Sequence, residues 1–170
     1  MLPSLPLAAF ALLLGAAPAS AEPKVGDRAT YYEKLKTGDG TSVSSMNVVE
    51  LVRFDDQNHR YLERDTKVIS GQPNQVTETW KETAELFTDE RVANILSDCK
   101  GAGGMNTLVW VPAGLYTACV LTVKADEEQS FSGKIWIARV PFGLAHAELD
   151  GPDGHSDLNL GSYQRPGAAL

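Results

Sequence analysis

From Val25 onward, apolar and polar residues alternate in long runs broken by short polar turns, the pattern of half-buried strands. "VGDRATYYEKL" leads into "TGDGT", whose Gly38, Asp39 and Gly40 suit a tight hairpin. "SVSSMNVVELVRF" then meets "DDQN", "HRYLERDTKVI" meets "SGQPN", and "QVTETWKETA" follows. Four runs rich in Val, Thr, Tyr and Ile predict an antiparallel meander.

At Thr88 the period changes. In "TDERVANILSDC" a capping Thr88 precedes Asp89 and Glu90, and Val92, Ile95 and Leu96 fall at helical spacing. This is the one convincing helix downstream of the leader, and "KGAGG" stops it. Strands return in "NTLVWV", "LYTACVLTVKA", "SFSGKIWIARV" and "LAHAEL". "VPAGL" at residues 111–115 and "VPFGL" at 140–144 both place Pro at a strand end and Gly at a bend, and are read as corners of a curved sheet. Residues 151–170, rich in Gly, Pro, Asp and Ser, are expected to form a flexible C-terminal tail. The pattern predicts a mainly β fold: a strongly bent antiparallel sheet, half-barrel or β-roll, of about eight strands with one short helix.

The opening "MLPSLPLAAFALLLGAAPASA" changes the compartment. It has no charged side chain, an apolar core and a final Ala-Ser-Ala, so residues 1–21 read as a signal peptide cleaved after Ala21, although no Lys or Arg precedes the core. The core is too short to span hydrocarbon comfortably, so no transmembrane segment is expected in the mature protein. Residues 22–150 then form a single β-rich domain in the periplasm. The net charge of −7 disfavours nucleic acid and anionic lipid surfaces. In an oxidising compartment the two cysteines, Cys99 and Cys119, favour a single disulfide over a redox pair.

"VWVPAGLYTACVLTV" followed by "GKIWIARVPFGLAHAEL" resembles a pattern of uncharacterised exported bacterial proteins: Val-Pro-Ala-Gly-x4-Cys, a Trp-bearing strand, then Val-Pro-x-Gly-Leu. That group is distantly similar to the half-barrels of outer-membrane lipoprotein carriers. The resemblance covers about a third of the chain. It implies a bent sheet around helical elements, an apolar ligand such as an acyl chain, and no catalytic residues.

Signatures of serine hydrolases, zinc proteases, nucleotide loops and dinucleotide folds are missing from the sequence. His146 with Glu148, and His59 with Tyr61 and Glu63, share strand faces by alternation and could each contribute to a metal site or an acid–base couple, but two ligands on one strand do not make a site and the sequence identifies no third partner. No cofactor, metal ligand or catalytic residue is assigned. Trp80, Trp110, Tyr116, Trp136 and Phe142 are either core or the lining of a groove for a lipid or other apolar small molecule. The expectation is a non-catalytic periplasmic binding or envelope-associated protein. The alternatives are an interaction module that docks an envelope protein through a strand edge or loop rim, and an enzyme using His146 and Glu148.

Overall fold

The computed structural model describes residues 23–125 and 130–166; the leader and its cleavage point lie outside the described residues. Among the described residues, nine strands form one sheet: β1 (Arg28–Lys36), β2 (Ser42–Asp55), β3 (Arg60–Ile69), β4 (Gln75–Glu82), β5 (Met105–Val111), β6 (Gly114–Val123), β7 (Ser132–Ala138), β8 (Leu144–Gly151) and β9 (Gly154–Gln164). Their order is β4-β3-β2-β1-β9-β8-β7-β6-β5. Every neighbouring pair is antiparallel, and the sheet stays open with β4 and β5 at its edges.

The ninth strand corrects the expected tail. Residues 154–164 form β9, which joins the two meanders by pairing with β1 on one side and β8 on the other. Ser156, Leu158 and Leu160 alternate with His155, Asp157 and Asn159, and Leu160 is fully buried. Residues 167–170 lie outside the described residues.

Because β4 and β5 are opposite edges, the chain between them has to cross the sheet. It does so through a 3-10 turn (Thr83–Glu85) and α1 (Asp89–Ser97). The expected Thr88 cap forms, its hydroxyl accepting from the Arg91 N–H at 3.2 Å. Leu86 packs with Leu51 of β2 and Tyr61 of β3, Val92 is buried, and α1 reaches β7 and β6. There Cys99 is joined to Cys119 by a disulfide. The crossing segment is thus seated at both ends.

Three β-bulges bend the sheet: one extra residue each at Val52 in β2, Ala145 in β8 and Gly161 in β9. The bend brings distant strands together. Ala29 and Tyr31 of β1, Val109 and Val111 of β5, Ala118 of β6, Ala138 of β7 and Leu160 of β9 share one buried cluster. The Ala113 N–H donates to the Leu160 carbonyl at 3.0 Å, so the β5–β6 hairpin touches β9 across the curl.

Both Val-Pro-x-Gly-Leu stretches turn out to be hairpin connections. The first leaves Pro112 and Ala113 between paired Val111 and Gly114. The second links β7 to β8, with Phe142 at φ 62° and Gly143 at φ 69°. A Cβ on Gly143 would lie 2.8 Å from Phe87 and 3.0 Å from Val92, so this loop needs glycine to slide under the start of α1.

Candidate interaction edge

The geometry of β5 follows from its hairpin. A two-residue turn is closed by a hydrogen-bonded pair, here Val111 with Gly114, and antiparallel ladders alternate bonded and non-bonded pairs. Val111, Val109, Thr107 and Met105 therefore spend their backbone groups on β6. Asn106, Leu108 and Trp110 direct theirs outward, where among the described residues the sheet order gives β5 no further strand.

The side chains of these outward residues are open as well. Trp110 is 81% exposed and Leu108 65%. Leu115, paired with Trp110 across the hairpin, is 63% exposed. Val109 and Val111, on the opposite side of the same strand, are buried. One short strand thus carries a core face and an apolar solvent face together.

The other edge is built differently. On β4, Glu78 pairs with Arg64 at 2.7 Å, and the Trp80 ring is covered by the guanidinium groups of Arg53 at 5.0 Å and Arg60 at 4.6 Å. Charge on an edge strand discourages pairing with another chain. The β5 sequence "MNTLVWV" has no charge and no proline, and Thr107, Val109, Trp110 and Val111 are residues that favour a strand.

The five residues expected to line a groove are not gathered in one place. Tyr116, Trp136 and Phe142 pack against the main core cluster. The Tyr116 hydroxyl donates to the Ala113 carbonyl at 3.0 Å, and the Trp136 ring lies 4.4 Å from that of His146. Trp80 sits on β4 beneath its arginines, and Trp110 stands in solvent on β5. Phe142 also lines a cavity of about 20 Å³ with Pro23, Asp27, Leu51, Leu86, Phe87, Asp89 and Arg165, room for little more than a water molecule. Arg165 holds Asp89 there through two hydrogen bonds.

His146 is only partly accessible, with 12% of its side chain exposed. Its Nδ1 lies 2.9 Å from the Leu158 carbonyl, which makes Nδ1 the donor in the neutral ring. Nε2 is 3.6 Å from Glu148, and Asp157 lies 3.8 Å from Nδ1. The expected face-sharing of His59 with Glu63 does not form, because His59 sits before β3 in a turn with φ 48°. Among the described residues, no three His, Cys, Asp or Glu groups gather as a metal would require.

One polar centre escaped the sequence reading. Glu33 of β1 accepts from Ser45 at 2.9 Å, Asn47 at 3.0 Å and Lys67 at 2.8 Å on one oxygen, and from Ser156 at 2.8 Å on the other. Burial alone would raise its pKa, but these four bonds, led by Lys67, outweigh it and hold the carboxyl down at about 2. The donors come from β2, β3 and β9, so Glu33 ties four strands together. With its oxygens saturated it is a structural ion, not a poised base.

Fold and edge together define an open, curled antiparallel β-sheet protein with one crossing helix. No protein-family model and no curated protein matches the chain. Among solved structures it is similar to a candidate exported protein with a YmcC-like fold from Bacteroides fragilis, at 10% identity and TM-score 0.45, covering 84% of this chain and 97% of that one. A candidate lipoprotein from Parabacteroides distasonis matches at 8% identity and TM-score 0.44, covering 83% and 96%. MucB in the MucA/MucB complex of Pseudomonas aeruginosa matches at 13% identity and TM-score 0.43, covering 85% of this chain and 53% of that one. The chain thus spans about half the length of that structure. At such identities and scores, nothing about activity or partners passes to this protein.

Proposed function

We propose that this is a non-catalytic, exported protein of the bacterial envelope that acts as an interaction module, docking a protein strand on the free edge of β5. The observation that carries this reading is an uncharged edge strand whose outward backbone groups coincide with exposed Leu108 and Trp110. Binding would proceed by strand addition: the backbone of Asn106, Leu108 and Trp110 pairs with the incoming segment, and the Leu108, Trp110 and Leu115 surface accepts its alternate side chains. A periplasmic location is supported by the leader ending at Ala21. Among the described residues, no helix is long and apolar enough to cross a membrane.

An apolar-ligand role has less behind it. None of Trp80, Trp110 and Trp136 lines the 20 Å³ cavity, nor the polar surface depression formed by Arg28, Thr30, Ser162, Tyr163 and Gln164. Chemistry at His146 has less still, since Nδ1 is committed to a backbone carbonyl.

A photo-crosslinking amino acid at Leu108 tests the reading in living cells. Adducts of discrete mass are expected at Leu108, with few or none for the same group at exposed Val76 on β4. Equal yields at the two edges, or none at Leu108, would remove the basis for the proposal.

A further inference from the structure

Building on that reading, we infer that the strand docked on β5 is β5 of a second copy, so that the protein is a two-fold symmetric dimer with one sheet running through both subunits. Backbone parity sets the register of this pairing. Outward donors and acceptors fall on Asn106, Leu108 and Trp110, three positions centred on Leu108. When two such edges meet antiparallel about a two-fold axis at Leu108, each outward residue faces another outward residue: Leu108 faces Leu108, and Asn106 faces Trp110. All the exposed strand bonds are then made.

Other registers do worse. Moving the axis to Thr107 sets Trp110 opposite Gly104, whose N–H already donates to the Cys99 carbonyl, and moving it to Val109 sets Asn106 opposite Pro112. Centring it on Trp110 brings Leu108 opposite Pro112, which has no N–H.

Side chains agree with this register. Leu108 and Trp110 share a face, so pairing about Leu108 makes one continuous strip of Trp110, Leu108, Leu108 and Trp110, flanked by Leu115 of each copy. Each Trp110 lies diagonal to the other copy's Leu108, within reach of an aromatic ring. The exposed parts of these three residues amount to roughly 400 Å² per copy, the size of the largest apolar patch on a typical monomer, which is often functional. With the strand backbone the contact stays below the ~800 Å² per partner of a standard interface, the size of a weak, concentration-dependent association.

The acidic balance of −7 per chain opposes self-association at long range, yet β5 itself contributes no charge to it. Association should therefore tighten as salt screens the repulsion.

Sedimentation of the exported chain, purified with its disulfide intact, tests the inference. The expected result is a concentration-dependent doubling of mass, favoured by added salt and lost in both Trp110→Lys and Leu108→Lys, each shown by circular dichroism to keep its fold. Leu108→Cys gives a position-specific check, because bonded antiparallel pairs hold their Cα atoms about 5.5 Å apart, within disulfide reach. A linked dimer is expected from Leu108→Cys and not from Val76→Cys on β4. A chain that stays monomeric at all concentrations, or a dimer indifferent to both lysine variants, overturns the inference. If that monomer still crosslinks to another protein at Leu108, the second copy is wrong and the docking edge stands; if it crosslinks to nothing, both fall.

Discussion

Replacing Cys99 and Cys119 together by alanine should lower the free energy of unfolding by about 3 kcal/mol, the chain-entropy value for a loop of this size. The bridge spans 20 residues that include the Gly-rich stop after α1, all of β5 and the first hairpin turn. Its loss frees the C-terminal end of the crossing segment from β6, so α1 amides should exchange faster before the rest of the sheet opens. Gly104 gives the junction no slack, since a Cβ there would meet the Cys119 sulfur at 2.6 Å. Urea unfolding of the oxidised protein and of the double variant measures the effect. Coincident midpoints would show that the crossing segment is held by packing alone.

The second large effect is a pH-dependent one centred on Glu33. Its carboxyl is held at about 2 in the folded protein, against an ordinary value of 4.5 in the unfolded chain. A lowered acid pKa adds stability that is present in full above the unfolded value and disappears as pH falls from there towards the folded value. The difference corresponds to about 3 kcal/mol at neutral pH. Asp27, Glu63 and Asp65 act in the opposite sense, because burial raises each of them and acid relieves that cost. Glu33 is therefore isolated by comparison with Glu33→Gln. The variant should be less stable at pH 7 by that amount, and the gap should close between pH 4.5 and about 2. A gap that stays constant with pH would mean that the hydrogen bonds matter and the charge does not.

What could be read from the sequence was local. "TGDGT" and "SGQPN" marked their hairpins because turn chemistry is written in adjacent residues, and Thr88 with its acidic followers marked α1 for the same reason. β9 was hidden by its composition: "GHSDLNLGSYQ" has no Val or Ile, and only the spacing of Ser156, Leu158 and Leu160 betrays a strand. Its pairing with β1 closes the largest sequence separation in the fold, which no local pattern encodes. The Glu33 centre was illegible for that same reason, since Lys67 and Ser156 reach it from strands far along the chain. For the candidate edge, the alternation in "LVWV" separates Val109 and Val111 from Leu108 and Trp110 but does not say which pair faces inward. Trp110, the larger and more apolar surface, was the natural choice for burial; the register with β6 and the curl onto β9 put the valines inside instead.

On the proposed reading, β5 is an interaction edge that is occupied when the protein is in its own envelope. The most direct measurement is native size-exclusion of periplasmic extract containing either the wild-type chain or Trp110→Lys, both at their normal level and both with the fold verified. Wild type is expected to elute well above the mass of one chain and the variant as a single chain. Identical elution of the two would contradict that reading.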